Sequence, residues 1–396
     1  MKPLKVLEIT QSSGGGVQKY VVQLCQHLNR SRFSVTGCCA VQSLRDAENG
    51  DVPFPLAFAE AKVPYFMVPM ERSISPLKDL LALGTTYREI RNRHFDIVHA
   101  HSSKAGVLAR IASRWTRVPV VIYSPHAFSF AAPGWGKEQH MYIIFERIAA
   151  RFGDIIIADS QGERDLAIGH RIADPENITV ISPGVPLEDY KPRMAEEHKI
   201  QLRASLGINP DSAVIIFVGR LATQKDPVTF IQAAEHLVAD MPQVTFLLVG
   251  DGPLAEQCIY LIQQGPLHDR MKLLGWRRDY RDLLALSDIA VVSSLFEGLP
   301  FILLEAMALS IPVIATAVAG NQDVVVHEKN GLLVSPEAPL EIAERCCWLL
   351  QHPDRAKHLS TAARRTVEKR FSMDTMLSLT EQLYISMYQK KSLHHG

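Results

Sequence analysis

Two glutamates, Glu297 and Glu305, stand in a stretch that is otherwise almost wholly apolar, EGLPFILLEAMALSIPVIA over residues 297–315. If the segment between them were all helix, they would lie about 12 Å apart along its axis. That is too far to act as a pair on one atom, but it suits a grip on two ends of an elongated ligand. Arg220 and Lys225, in GRLATQKDP, follow an apolar run and precede a helix start at Asp226–Pro227. Two cations beside a helix N-terminus are the chemistry of a diphosphate site. Read alone, they could equally be solvated surface charges. A third group is Gly14–Gly16, in QSSGGGVQ. Glycines that open a helix let an anion approach the backbone closely. A dinucleotide fingerprint would need a further glycine where Lys19 stands, and no acid ends the second strand, so a dehydrogenase is disfavoured. Asp251, between glycines in VGDGP, reads as a turn.

These residues must be positioned by strands and helices in alternation. Strand patterns occur in LKVLEIT, FSVTGCCAV, FDIVHAH, VPVVIYS, DIIIADS and NITVIS, with helical periodicity between them. The prolines and glycine of SPGVPLEDYKP then read as a linker. Alternation resumes with AVIIFVGR, QVTFLLVG, MKLLG, DIAVVSS, IPVIAT and GLLV. The expected fold class is α/β, with two facing doubly wound Rossmann-like domains and an interdomain cleft. The first spans 1–183 and the second 192–370, with a last helix over 371–390 packing back on the first. In such sheets ligands bind beyond the strands' carboxyl ends, where the residues above fall.

Composition narrows the classes. The 396 residues carry 42 Lys+Arg and 42 Asp+Glu, so no global field favours nucleic acid. Six cysteines without a C-x-x-C pair read as reduced core thiols. Leu299 to Gly320 is apolar enough to suggest a membrane span, but Pro312 would break it and Glu305 would sit at its centre. A helix from Pro300 to about Leu309 followed by a strand over 311–316 is the better parse. No long apolar leader opens the chain. A cytoplasmic location is expected, with a peripheral place on the cytoplasmic membrane face as an option.

The segment EGLPFILLEAMALSIPVIAT, with VGRLATQKDP, VGDGP, LGW and AGNQDVVVHEKNGLLV in this order, resembles the family 4 glycosyltransferases of the GT-B type. DIVHAHSSKAGVLARIASR and VPVVIYSPHAFSF add a likeness to bacterial enzymes that build capsule, exopolysaccharide or O-antigen on a lipid carrier. The resemblance implies a retaining transferase that uses a nucleoside diphosphate sugar, UDP-linked by expectation. Glu305 would hold the ribose hydroxyls, and Glu297 the donor sugar near the reacting carbon. The backbone of Gly298, Leu299, Pro300 and Phe301 would hold the diphosphate with Arg220 and Lys225. Gly15 and Gly16 would face phosphates or acceptor. His126 matches the histidine that contacts the donor sugar. Where many relatives have glycine after that histidine this chain has Ala127, a small change of little expected effect.

No cofactor is implied, since the sugar nucleotide is a substrate, and the family generally needs no metal. The sequence agrees: it shows neither D-x-D at a strand end nor a clustered His/Asp ligand set. On the acceptor side, Phe128, Phe130 and Trp135 read as a loop, with Met141, Ile144, Phe145 and Ile148 following at helical spacing. Arg72, Lys104, Arg110 and Arg114 lie nearby in sequence. Apolar groups beside cations suit a polyprenyl diphosphate or a membrane surface. An apolar helix stripe is nevertheless more often core. Lys104 and Arg72 are the candidate acceptor contacts. Two other functions share the fold and stay open here: an NDP-sugar epimerase, and a non-catalytic subunit that binds sugar nucleotides.

Overall fold

The computed structural model describes residues 2–11, 14–41, 52–71, 75–131, 136–192, 194–241 and 243–393. The chain divides into two units. Unit 1 comprises Met1–Pro183 with Asp374–Gly396, and unit 2 comprises Gly184–Met373.

Among the described residues of unit 1, seven parallel strands run β1 (Leu4–Thr10), β2 (Phe33–Ala40), β3 (Tyr65–Val68), β4 (Ile97–His101), β5 (Val120–Ser124), β6 (Ile155–Ala158) and β7 (Ile178–Val180). Their order in the sheet is β3-β2-β1-β4-β5-β6-β7, so the winding reverses between β1 and β4. The strands other than β3 coincide with the apolar runs of the sequence. β3 has only four residues on the sheet edge, with Tyr65 and Met67 exposed, and so leaves no buried run to detect. Leu7, Ile9, Val98 and Ala100 pack into one hydrophobic layer. Strand alternation sends their neighbours Glu8, His99 and His101 to the opposite face. All three are nonetheless fully buried.

The helices of unit 1 are α1 (Gly15–His27), α2 (Phe54–Glu60), α3 (Pro76–Arg93), α4 (Ser103–Thr116), α5 (Gly136–Ala150) and α6 (Gln161–Gly169). A helix from the far end of the chain, α15 (Met373–Leu393), also belongs here, apart from its first residue. Its Tyr384 is fully buried against Phe33 and His99.

The described residues of unit 2 form six parallel strands: β8 (Ala213–Val218), β9 (Val244–Val249), β10 (Met271–Gly275), β11 (Ile289–Val292), β12 (Val313–Thr316) and β13 (Leu332–Val334). The order β10-β9-β8-β11-β12-β13 places its reversal between β8 and β11. Both faces of this sheet are covered. Val214, Ile216, Leu247 and Val249 enter one core layer, while Ile215, Phe217, Phe246 and Leu248 enter the other. The covering helices are α7 (Glu196–Ser205), α8 (Pro227–Asp240), α9 (Ala255–Gln264), α10 (Tyr280–Leu286), α11 (Phe301–Ala308), α12 (Ala319–Val324), α13 (Pro339–Gln351) and α14 (Pro353–Arg370).

The expected linker is shorter than its composition suggests. Val185 and Tyr190 are core residues of unit 2, and Val185 exchanges backbone hydrogen bonds with Phe371 and Met373. The apolar stretch after Glu297 is a buried helix, α11, followed by a buried strand, β12. Pro300 caps α11 rather than occupying its first turn. Among the described residues, no helix is long and apolar enough to cross a membrane.

Candidate active site

In unit 2 the candidate residues gather at the carboxyl ends of β8 and β11, where the winding reverses. Asp226 caps α8 with a side-chain bond to the Thr229 N–H, 3.2 Å, and so ends the loop that carries Lys225. Ser293, just past β11, donates to the carbonyls of Lys225 and Asp226 at 3.0 and 2.8 Å. Leu295 N–H donates to the Gln224 carbonyl at 2.8 Å. The loop holding Glu297 is thereby stitched to the loop holding Lys225. A third loop locks it from the other side. At Gly320, on α12, a Cβ would stand 2.2 Å from the Gly298 carbonyl, so only glycine fits there.

This stitching brings the Lys225 ammonium onto Glu297 Oε1 as an ion pair. Glu297 also accepts from the Ser294 hydroxyl at 2.6 Å. The sequence assigned Lys225 to a diphosphate and Glu297 to a sugar, and the structure shows each holding the other. Arg220 stands exposed beyond β8.

Glu305, on α11, is 1% exposed. Its Oε1 accepts from the Tyr190 hydroxyl at 2.7 Å and from the Tyr280 hydroxyl at 3.2 Å. Two phenols thus flank this buried acid. Burial and the Glu305 charge push the Tyr190 phenol well above its ordinary range, keeping it a donor. Arg281 lies over the Tyr190 ring at 4.9 Å and pairs with Asp189 at 3.1 Å. Gly298, Leu299, Pro300 and Phe301 lie between the two glutamates, at the start of α11.

In unit 1 a polar network occupies the β1/β4 reversal. The strand register sets Glu8 opposite His99 and Thr10 opposite His101. His101 Nε2 lies 2.8 Å from Glu8 Oε2, and His101 Nδ1 lies 3.0 Å from His126 Nε2. His126 Nδ1 faces Asp159 at 2.9 Å. Tyr384 donates to Glu8 Oε1 at 2.8 Å and lies 2.6 Å from His99 Nδ1, whose other nitrogen meets Ser124 Oγ at 2.8 Å. Burial pushes Glu8 up to about 8, against the Tyr384 hydrogen bond. Burial also holds His99 and His101 well below the usual histidine range. For His126, burial is outweighed by the charge and hydrogen bond of Asp159 and the charge of Glu163, so its titration is raised.

Glu8, His99 and His101 offer ligand atoms within 4.8 Å of one another. This corrects the expectation that no such cluster exists: the strand register assembles it from residues about ninety positions apart. Each of those atoms already meets another polar group of the network. We therefore describe the cluster as a hydrogen-bond network and assign no metal to it.

His126 and Ala127 have φ of +52° and +75°, both in the left-handed region. The turn is held by the Ala127 N–H, which donates to Glu163 Oε1 at 2.7 Å. An alanine there is strained where a glycine would not be, so Ala127 is not the neutral replacement that its size suggested. In the glycine loop, Gly15 has φ of +68° and begins α1, which no side chain caps. Gly16 follows in the same first turn.

The acceptor candidates fare differently. Lys104 is mostly buried, pairs with Asp79 at 2.5 Å and donates to the Glu71 carbonyl at 2.9 Å. It ties α4 to the start of α3. Arg110 is fully buried, paired with Glu146 at 2.8 Å and stacked 4.0 Å from the Tyr123 ring. It is a core residue and not a surface cation. Phe128 and Phe130 are buried and stacked on one another rather than presented on a loop. Arg72 and Trp135 lie outside the described residues. By contrast Met141, Ile144, Phe145 and Ile148 on α5 face solvent, and Ile143 and Ala149 supply the core contacts instead.

Known proteins share this architecture. Residues 14–189 match the model described as Glycosyltransferase Family 4, and residues 198–366 match Glycosyl transferases group 1. The chain belongs to the family 4 glycosyltransferases of GT-B fold, and it is an enzyme that transfers sugar. Among its relatives is the UDP-Gal:alpha-D-GlcNAc-diphosphoundecaprenol alpha-1,3-galactosyltransferase of Escherichia coli. That protein is 34% identical over 325 residues, covering 81% of this chain and 80% of the relative. Anabaena HepE, solved with UDP-glucose, superposes with a TM-score of 0.81 at 24% identity, over 97% of this chain and 100% of the other. WaaG, described as a glycosyltransferase of lipopolysaccharide biosynthesis, superposes with a TM-score of 0.74 at 16% identity, over 96% and 99%.

Proposed function

We propose that the protein moves a sugar from a UDP-sugar to a lipid-linked diphosphosaccharide, with retention of anomeric configuration, in surface polysaccharide synthesis. The observation that carries the donor half is the placement of Glu297, Lys225 and Glu305 around one helix start at the β8/β11 reversal of unit 2. In this reading Glu305, aligned by Tyr190 and Tyr280, accepts from the ribose hydroxyls. Glu297 meets the sugar, where its negative charge counts most as positive charge develops at the anomeric carbon. Arg220, Lys225 and the backbone of residues 298–301 meet the leaving diphosphate, which takes Lys225 from Glu297 when the donor binds. In unit 1, His126 meets the donor sugar, while Gly15 and Gly16 at the start of α1 meet an anionic substrate group.

The acceptor half rests on the E. coli relative, whose name specifies a GlcNAc-diphosphoundecaprenol acceptor and UDP-galactose. The solvent-facing apolar row Met141, Ile144, Phe145 and Ile148 suits a lipid surface, with the exposed Arg147 and Arg151 beside it for anionic headgroups. With Lys104 committed to Asp79, we give it a structural role and look to this face for the lipid.

The test is direct. Purified protein is incubated with a panel of UDP-sugars and a synthetic GlcNAc-diphospholipid, with and without EDTA, and products are read by mass spectrometry and NMR of the new linkage. One α-linked product that survives chelator is expected. A sugar nucleotide converted without acceptor would instead identify an epimerase, and an inverted linkage would overturn retention.

A further inference from the structure

Glu8, His101 and His126 form an unbroken line of hydrogen bonds in unit 1, with links of 2.8 and 3.0 Å, and the line ends on Asp159. Its donor count is restrictive. With His126 Nδ1–H given to the Asp159 carboxylate, His126 Nε2 and His101 Nδ1 can share only one proton between them. If His101 donates there, its Nε2 must accept, and Glu8 must carry the proton. If His126 donates, His101 Nδ1 accepts, its Nε2–H is given to Glu8, and Glu8 is a carboxylate. Glu8 and His126 therefore cannot both be protonated while every link is kept.

We propose that Glu8 and His101 are positioning residues for His126, and that the line carries one mobile proton which they deliver to His126 when an anionic substrate group arrives. In that step the Glu8 Oε2–H bond breaks and His101 Nε2–H forms, while His101 Nδ1–H breaks and His126 Nε2–H forms. No proton is gained or lost. Negative charge appears on Glu8, where the Tyr384 hydroxyl and the new His101 Nε2–H receive it. Positive charge appears on His126, beside Asp159. This inference rests on the reading of His126 as a substrate contact.

The surroundings fit such a transfer. His101 and His126 stack with 11° between their planes and 5.2 Å between centroids, so their shared link is held in register. The Tyr20 ring of α1 stands edge-on to His126 at 4.7 Å and closes that side. Titratable groups facing the line are Tyr20 and Cys25 from α1, His99 from β4, Asp159 after β6, Glu163 from α6 and Tyr384 from α15. Glu8, His99 and His101 have no exposed surface, so bulk water does not compete for the proton.

The full-length protein labelled with ¹⁵N-histidine reads the line directly by NMR, with no substitution needed. At constant pH, addition of UDP is expected to move His101 from Nδ1–H to Nε2–H as His126 gains its Nε2 proton, with no net proton uptake. The amide of E8Q has no acid proton to give, so in that variant UDP should leave both histidine tautomers unchanged. A His101 tautomer that stays fixed when UDP binds the wild type, or the same change in E8Q, would overturn the proposal. In turnover, E8Q should lose about tenfold in kcat. An inactive H126Q beside an E8Q with unchanged kcat and pH profile would also overturn it. A fully active H126Q would instead remove His126 from the substrate site, whatever the NMR showed.

Discussion

Lys225 and Glu297, 72 positions apart in sequence, are paired at one sheet reversal, so this cation and this acid neutralise each other. They should consequently fail in opposite directions. K225A removes a phosphate partner and leaves Glu297 buried without its counter-charge. UDP affinity is expected to fall about tenfold, near 1.4 kcal/mol, with a loss of stability as well. E297Q frees Lys225, so UDP should bind as well as before or more tightly while turnover drops. Calorimetry with UDP and steady-state kinetics on both variants decide this. Equal losses of UDP affinity would make the pair structural only.

Glu305 is aimed by two phenols, which gives its role a graded test. E305Q keeps the shape but loses the charge, and should weaken UDP by about 1–3 kcal/mol. Y190F keeps the charge and removes the shorter of the two tyrosine bonds, so it should cost less, with the same sign. If UDP binding is indifferent to both, the acid serves only the core.

At Ala127 the backbone should reveal its strain. A127G relieves a left-handed alanine but loosens the unfolded chain, and the net is a gain of up to about 1 kcal/mol in urea unfolding, with activity kept. A127V, β-branched at positive φ, should be clearly destabilised. A stability loss in A127G would mean that the methyl group packs better than the turn suffers.

The buried acids of unit 1 fix a pH dependence. Glu8 and Glu163 are each raised to about 8, and His126 is raised too, so the folded state binds more protons than the unfolded chain near neutrality. That stability is present at low pH and is lost as pH climbs through these titrations. His99 and His101, depressed by burial, act the other way and cost stability as pH falls below about 6.5. Urea midpoints should therefore fall from pH 6.5 to 8, by about 1.4 kcal/mol per pH unit for each proton involved. E8Q should flatten the slope. A wild-type slope of opposite sign would show that these acids are ionised in the fold.

The α5 row is testable with vesicles. Replacing Ile144, Phe145 and Ile148 by serine should abolish co-sedimentation with anionic liposomes and leave UDP affinity intact, because no core contact is removed. Unchanged sedimentation would move the lipid contact elsewhere.

Much of this was readable from the chain. Long strands buried on both faces announce themselves as apolar runs, and every one of them was found; β3, short and half-exposed at an edge, was not. The candidate residues of unit 2 stood out because motif and strand end coincide. What escaped were the partners: Tyr190 and Tyr280 for Glu305, and Glu8, His99, Asp159 and Tyr384 around His101 and His126. The signals existed, an acid inside the apolar VLEIT and an H-x-H whose members share one strand face. Only the register of β1 on β4 says that the two signals meet. The α5 stripe failed for a different reason. Helical spacing of apolar residues defines a face, and the sequence does not say whether that face meets protein or solvent.

Tyr384 belongs to the first unit but is translated after the whole of the second. Unit 2 is one unbroken stretch, Gly184–Met373, and can fold as soon as it emerges. Unit 1, begun earlier, must wait through all of that synthesis with Glu8 and His99 lacking the hydroxyl that joins them. The order of completion is thus the reverse of the order of translation. A chain cut short before α15 would keep an intact second unit and a first half that cannot close its polar centre, so quality control acting on unfinished chains has its clearest target at the amino-terminal end.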